Sequence, residues 1–175
     1  MTFFHGGNLD DYDETVDHKK GRYEFGAGLY LTTQYGTAAR YAKGSRKLYL
    51  VTVERGNDSE TSYLNWDDVD RFLMSYCVKS KRNEIMIRLR KYVLDNKIEA
   101  YLLVNVLLNE DGIKPNNTPA LRTFLVDSGV DYQMVSNAFG WGEKMLVLYN
   151  MKKIVKLQRV DPKSHMIDML PTGWI

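Results

Sequence analysis

The chain has 175 residues, of which 44% are hydrophobic and 26% charged, as is typical of one soluble globular domain. Its 24 basic and 22 acidic residues nearly balance, so the overall charge gives no reason to expect a nucleic-acid or membrane partner. The single cysteine, Cys77, excludes an intrachain disulfide and a metal site built from several cysteines. Cys77 lies in an apolar run, and we predict a buried structural thiol.

The first residues predict a short strand that ends at His5, where Gly6-Gly7-Asn8 breaks it. A histidine beside glycines can place its ring in a cleft where the backbone approaches a ligand closely. Packing of the ring at a strand end is the alternative. The start of the chain lacks the basic and long apolar regions of a signal peptide, and no apolar stretch approaches the ~20 residues that span a bilayer. We therefore expect a cytoplasmic protein without membrane contact.

The segment 26–42, GAGLYLTTQYGTAARYA, predicts a glycine-led strand followed by a short helix rich in small residues. Thr33 is the expected N-cap of that helix. Tyr30 projects opposite its two neighbours on the strand, and Tyr41 lies at the helix end, where it could stack on an aromatic ring. For both tyrosines, packing in the protein core is the alternative.

The rest of the chain predicts strands at both ends and helices between them. Trp66 to Asn109 is dense in helix formers, with Asn65 as a helix cap, and another helix runs from Thr118-Pro119 to a stop at Gly129. Alternating apolar residues indicate strands at 47–54, 131–136, 144–149 and 154–160. We predict an α+β fold in a single domain, residues 1–175, with a mostly helical insertion at 57–128.

Phe3-Phe4-His5-Gly6-Gly7, read together with the segment 26–42, resembles the H-Y-E branch of the ADP-ribosyltransferases, which includes diphtheria toxin and the poly(ADP-ribose) polymerases. That family has a strand ending in His-Gly, a Gly-hydrophobic-Tyr strand, and a small-residue helix ending in a second tyrosine. A carboxylate follows at the start of a late strand. The resemblance implies a split β-sheet core, and it extends loosely over residues 125–154.

The resemblance assigns a role in NAD binding to each matching residue. His5 would bond the ribose hydroxyls, and the backbone of Gly6 would bind the nicotinamide amide. Tyr30 and Tyr41 would sandwich the nicotinamide ring, and Thr32 on the same strand joins the expected cofactor-binding set. Holding the ring flat positions the glycosidic bond for cleavage, and a carboxylate near the ribose would stabilise the positive charge that develops there.

The third catalytic position is unusual. Glu143 is the candidate carboxylate, but aligning Tyr149-Asn150 with the end of the family's strand places Met145 there. The two share one strand face, so strand parity does not choose between them. A solvent-facing charge at a strand start is a further reading of Glu143.

Two groups of residues outside the pocket also invite interpretation. Phe139 and Trp141, in the loop before that strand, are candidates for contact with the acceptor, or they anchor the loop to the core. His18 and His165 have no partners at metal-ligand spacing, so we expect no metal site. The basic stretch 79–91 fits a solvated helix face, or a surface for docking the acceptor.

The resemblance predicts an enzyme that uses NAD as co-substrate and transfers one ADP-ribose unit to a macromolecule, a protein sooner than a nucleic acid. Compact enzymes of this sort occur as bacterial toxins and phage effectors. An NAD glycohydrolase, with water as the acceptor, is a variant of the same reading. A module that binds NAD or ADP-ribose without turnover, or a helical protein-interaction module, is the alternative.

Overall fold

The computed structural model describes residues 1–9, 28–44, 46–137 and 142–161. These residues form an α+β fold with a six-stranded antiparallel sheet and five α-helices. No helix among them is long and apolar enough to cross a membrane. The strands are β1 (Thr2–Gly6), β2 (Leu29–Thr32), β3 (Leu48–Val53), β4 (Tyr63–Asn65), β5 (Lys97–Glu99), β6 (Tyr132–Ser136), β7 (Lys144–Leu148) and β8 (Ile154–Val160). The helices are α1 (Tyr35–Ala42), α2 (Trp66–Tyr76), α3 (Arg82–Arg90), α4 (Ala100–Asn109) and α5 (Thr118–Asp127).

The large sheet has the strand order β6-β7-β2-β1-β3-β8, so its two central strands come from the N-terminal segment of the chain. β2 pairs with β7 along its whole length, from Leu29 opposite Leu148 to Thr32 opposite Met145. β1 likewise pairs with β3 at every position from Thr2 to Gly6. The N-terminal segment therefore joins the β6-β7 hairpin to the β3-β8 pair.

The four helices α2 to α5 and the small β4-β5 sheet lie between β3 and β6 in the chain and build their own apolar core. That core is continuous with the large sheet, because Met145, Val147 and Tyr149 belong to the same buried cluster. Its fully buried apolar members include Leu64, Val69, Leu73, Ile85, Leu89, Ile98, Leu103, Val104, Leu107 and Leu125. These helices and the β4-β5 sheet, here called the helical part, thus pack on the face of β7 that carries Met145 and Val147.

Several predicted helix boundaries are confirmed. The side chain of Asn65 accepts a hydrogen bond from the backbone N–H of Asp67 and caps α2. The proline of Thr118-Pro119 lies in the first turn of α5, and Gly129 follows that helix with φ +84°. Cys77 is buried, as predicted, and burial raises the pKa of its thiol.

One local prediction is wrong, and a second is incomplete. Gln34, not Thr33, stands at the N-cap of α1, because the Thr33 hydroxyl accepts a hydrogen bond from the backbone N–H of Lys144 on β7. The helix-rich stretch 66–109 is also interrupted at Asp95 and Asn96, where both residues have positive φ, 48° and 57°. They form a two-residue hairpin turn that leads into β5, and aspartate and asparagine are residues that tolerate this conformation.

Asp131 ties the chain together where it returns from the helical part to the large sheet. Its carboxylate accepts hydrogen bonds from the backbone N–H of Asn57, at 2.9 Å, and from the side chain of Asn150, at 2.7 Å. Its carbonyl oxygen accepts the backbone N–H groups of Tyr149 and Asn150. One buried residue thus links the segment after β3 with the segment after β7.

Replacing Asp131 with alanine should lower the free energy of unfolding by about 2–3 kcal/mol, because two hydrogen bonds to a charged acceptor are lost. Urea denaturation followed by circular dichroism measures the change. Asp127→Ala, at the exposed end of α5, is the control and should shift stability by less than about 0.5 kcal/mol. Equal midpoints for the two variants would contradict this role of Asp131.

Candidate functional site

His5 is held at the end of β1 by the neighbouring strand. Its Nδ1 donates a hydrogen bond to the backbone carbonyl of Tyr30 at 2.9 Å. Since a carbonyl oxygen can only accept, the Nδ1 hydrogen is assigned, and in the neutral ring Nε2 is the acceptor nitrogen. The ring lies over Gly7, where an added Cβ would come within 2.6 Å of Nε2. Gly7, the second glycine of the predicted Gly6-Gly7 pair, therefore makes room for this ring.

The sheet opens between β1 and β2 next to His5. Among the described residues the register between these strands consists of one pair, Phe4 and Thr32. Residues 1 and 7 hydrogen-bond through their backbones to β3, so alternation directs the backbone N–H and C=O of Gly6 toward β2. The side chain of His5 spans this opening, and the backbone of Gly6 lines it.

Helix α1 lies close against the sheet because its contacting residues are small. Ala38 and Ala42 are buried against Phe4. A Cβ added at Gly6 would lie 1.9 Å from the carbonyl oxygen of Ala38 and 2.7 Å from the backbone nitrogen of Ala42. Glycine at position 6 is therefore required for this approach of the helix to the strand.

The two tyrosines of the resemblance have different surroundings. Tyr30 is half-buried and packs against the apolar core of the helical part. Tyr41, in the last turn of α1, is 64% exposed, so core packing is the wrong reading of this residue. One ring is thus held by the protein while the other is accessible to a ligand.

Glu143 is a buried carboxylate and not a solvent-facing charge, with only 1% of its surface exposed. It immediately precedes β7. Its Oε1 accepts a hydrogen bond from the hydroxyl of Thr32 at 2.5 Å, and its Oε2 has no hydrogen-bond partner among the described residues. A buried carboxylate oxygen without a donor is costly, and in a native structure it calls for an explanation such as a catalytic role, an ordered water or a bound ion.

Tyr30, Thr32 and Glu143 share one face of the sheet. The Cα partners of Tyr30 and Thr32 on β7 are Val147 and Met145, and Glu143 lies two residues before Met145. Met145 is buried in the apolar core, with 1% exposure. At the two candidate positions for the third residue, the protein therefore has a core side chain at 145 and a hydrogen-bonded carboxylate at 143.

This face is covered by α1 over β1 and by the helical part over β7. β2 lies between those two strands, so Tyr30 and Thr32 follow the boundary of the two coverings. The hydrogen bonds from His5 to Tyr30 and from Thr32 to Glu143 connect both neighbouring strands to β2. The structure thus brings Tyr30, Thr32 and Glu143 together on one face. Strand alternation places the His5 side chain on the opposite face with Phe3, and His5 contacts the backbone carbonyl of Tyr30.

The remaining predicted site residues lie in parts of the chain that the structure does not describe. Phe139, Trp141, His18 and His165 lie outside the described residues, as do Gly26 and Ala27. Within the described part of the chain no group of three or more acidic, histidine or cysteine side chains could hold a metal ion.

The sequence interpretation missed the way the loop before β7 is closed. Asn137 has φ +56° and accepts the backbone N–H of Gly142 with its side chain at 2.9 Å, while Gly142 has φ +79°. The backbone N–H of Asn137 also donates to the carbonyl of Glu143 at 2.7 Å. The asparagine and glycine that bound this loop were the available signal, since both residues favour positive φ.

Replacing Gly6 with alanine should push α1 away from β1 and lower the free energy of unfolding by about 1–3 kcal/mol, the usual cost of overpacking. Gly36→Ala in the same helix is the matched control, because a Cβ there meets nothing within 4 Å. Alanine is the better helix former, so this control should be neutral or slightly stabilising. Urea midpoints measure both, and a Gly6→Ala midpoint equal to that of the control would refute the close approach.

No family model and no curated protein matches the chain. Among solved structures, the chain is similar to a protein described as "Crystal structure of an anti-CRISPR protein". The two sequences are 14% identical, the TM-score is 0.40, and the match covers 91% of this chain and 95% of that chain. A likeness at this TM-score does not establish a shared function.

Proposed function

We propose that this protein is an NAD-dependent mono-ADP-ribosyltransferase with an ADP-ribosyltransferase-like split sheet as its core. The observation that carries the proposal is the buried carboxylate of Glu143, one oxygen of which is bonded to Thr32 while the other has no partner among the described residues. It lies beside the strand that carries Tyr30, as the resemblance requires of the third catalytic residue.

In this proposal, residues of β1, β2 and α1 bind NAD. The opening between β1 and β2 presents the backbone of Gly6, which would bind the nicotinamide amide. His5, with its Nδ1 engaged by Tyr30, would use Nε2 for a ribose hydroxyl. The exposed ring of Tyr41 and the half-buried ring of Tyr30 would enclose the nicotinamide.

The reaction breaks the bond between the nicotinamide nitrogen and C1′ of the ribose. Nicotinamide leaves with the bonding electron pair and becomes neutral, and positive charge develops on the ribose. A carboxylate in a site that excludes water stabilises that charge more strongly than it would in water. A nucleophilic atom of the acceptor then bonds to C1′ and loses its proton, for which Glu143 would be the base.

The acceptor in this proposal is a macromolecule, and a protein before a nucleic acid, since the net charge of +2 supplies little attraction for phosphates. In this proposal the protein would be a compact enzyme of the kind that occurs among bacterial toxins and phage effectors. Water would serve as acceptor in the glycohydrolase variant. The helical part, residues 57–128, would then serve to select the acceptor.

Incubation with NAD labelled in the nicotinamide and, separately, in the adenylate tests the proposal. Release of nicotinamide together with transfer of the adenylate label to protein in a lysate supports it. Release without transfer indicates the glycohydrolase. Saturable NAD binding without release indicates a binding module, and absence of NAD binding would leave a helical interaction module as the remaining reading.

Replacing Tyr41 with alanine should lower the rate of nicotinamide release by about 10- to 100-fold, because one wall of the nicotinamide pocket is removed. The fold should be unaffected, since this ring is 64% exposed. Tyr92→Ala is the matched control, because Tyr92 is 55% exposed just after α3. Equal rates of nicotinamide release for the two variants would contradict the stacking role of Tyr41.

Replacing Glu143 with glutamine should lower nicotinamide release by about 10²- to 10³-fold while NAD still binds, because the negative charge is lost and the shape is kept. The Thr32 hydroxyl can still donate to the amide oxygen of glutamine, so the local packing should survive. Glu60→Gln, at an exposed carboxylate, is the control. Met145→Leu should retain activity because it conserves core volume. Full activity in Glu143→Gln together with loss of activity in Met145→Leu would assign the third position to Met145.

A further inference from the structure

We propose that Thr32 is a positioning residue that orients the Glu143 carboxylate, and not a residue that contacts NAD. The inference rests on the proposed function and assigns a different task to a residue that the resemblance places in the cofactor-binding set. It is carried by the pattern of hydrogen bonds at the end of β2, where the Thr32 hydroxyl has two partners.

The direction of the Thr32–Glu143 bond is determined by the second partner. The backbone N–H of Gln34 donates to the Thr32 hydroxyl oxygen at 3.0 Å. The hydroxyl proton of Thr32 is therefore directed to a different atom, and the carboxylate oxygen Oε1 of Glu143 lies 2.5 Å away. A hydroxyl with one proton and that proton committed to Glu143 has no donor left for NAD.

The backbone around this bond is fixed on both sides. The backbone N–H of Thr33 donates to the carbonyl of Lys144 at 2.9 Å, and the backbone N–H of Lys144 donates to the Thr33 hydroxyl at 3.0 Å. On the other side, the backbone N–H of Asn137 donates to the carbonyl of Glu143. The end of β2 and the start of β7 therefore cannot slide past one another without breaking these bonds.

The bond to Thr32 therefore occupies one oxygen of the Glu143 carboxylate and leaves the other unbonded among the described residues. With Oε1 bound to Thr32, rotation of the carboxylate is restricted, and Oε2, which is itself buried and has no donor among the described residues, is the oxygen left for the ribose or the acceptor. Preorganised charge of this kind needs no rearrangement when positive charge develops in the transition state. Without the threonine hydroxyl, both oxygens of a buried carboxylate would lack a donor, and the side chain would turn to find one.

The test is a comparison of Thr32→Val with Thr32→Ser, using nicotinamide release at varied NAD concentration. Valine keeps the shape and removes the hydroxyl, so kcat should fall by about 10- to 100-fold, the rate equivalent of a hydrogen bond to a charged group. KM for NAD should stay within about 2-fold, because ground-state binding is not removed. Serine restores the hydroxyl and should retain most of the wild-type kcat.

Thr52→Val, on β3 of the same sheet, is the matched control and should leave both constants unchanged. An unchanged kcat in Thr32→Val, or an equal loss in the valine and serine variants, would overturn the positioning role. A rise in KM alone would instead assign Thr32 to NAD contact. If the wild type releases no nicotinamide, the proposed function is wrong and this inference falls with it; an active wild type with an active Thr32→Val overturns this inference alone.

Discussion

The pairing of β2 with β7 is the constraint on which the rest of the structure depends. It brings together Thr32 and Glu143, which are 111 residues apart in the chain. It also fixes the register that directs Tyr30, Thr32 and Glu143 to one face, since a slip of one residue would turn all of them to the other face. Everything inserted between the two strands must therefore leave their pairing intact.

The helical part meets this requirement by sharing its core with β7. Met145, Val147 and Tyr149 are buried in the same cluster as the helices, so moving the helices would expose apolar surface on the strand itself. At the other side of β2, the small residues of α1 pack directly on β1. The site lies between these two packed regions, which explains how its strand can be well supported while one aromatic ring of α1 stays exposed.

The two buried carboxylates among the described residues lie at junctions between distant segments. Asp131 links the segments that follow β3 and β7, and Glu143 lies where β2 meets β7. They differ in one respect: both carboxylate oxygens of Asp131 have hydrogen-bond donors, whereas Oε2 of Glu143 has none in the described part of the chain. The charge of Asp131 is therefore fully paired, whereas Glu143 keeps one buried oxygen without a donor among the residues that the structure describes.

The amino-acid sequence by itself determined the local features: the strand ending at His5, the cap at Asn65, the glycine stop at 129, and the small-residue helix beside Gly6. These depend on backbone propensities and side-chain size, which act over a few residues. The turn at 95–96 was not predicted, because the helical spacing of the surrounding residues outweighed the signal from two residues that tolerate positive φ.

Only the tertiary structure decided how the polar side chains of the site are used. Thr33 has the composition of an N-cap, yet its hydroxyl bonds β7, and Thr32 bonds Glu143 where the sequence indicates a contact with NAD. The different surroundings of positions 143 and 145, a hydrogen-bonded carboxylate and a core methionine, are likewise invisible in a pattern that places both on one face. The physical reason is that a hydroxyl bonds the acceptor or donor that lies nearest in space, and strand pairing over more than a hundred residues determines which group that is.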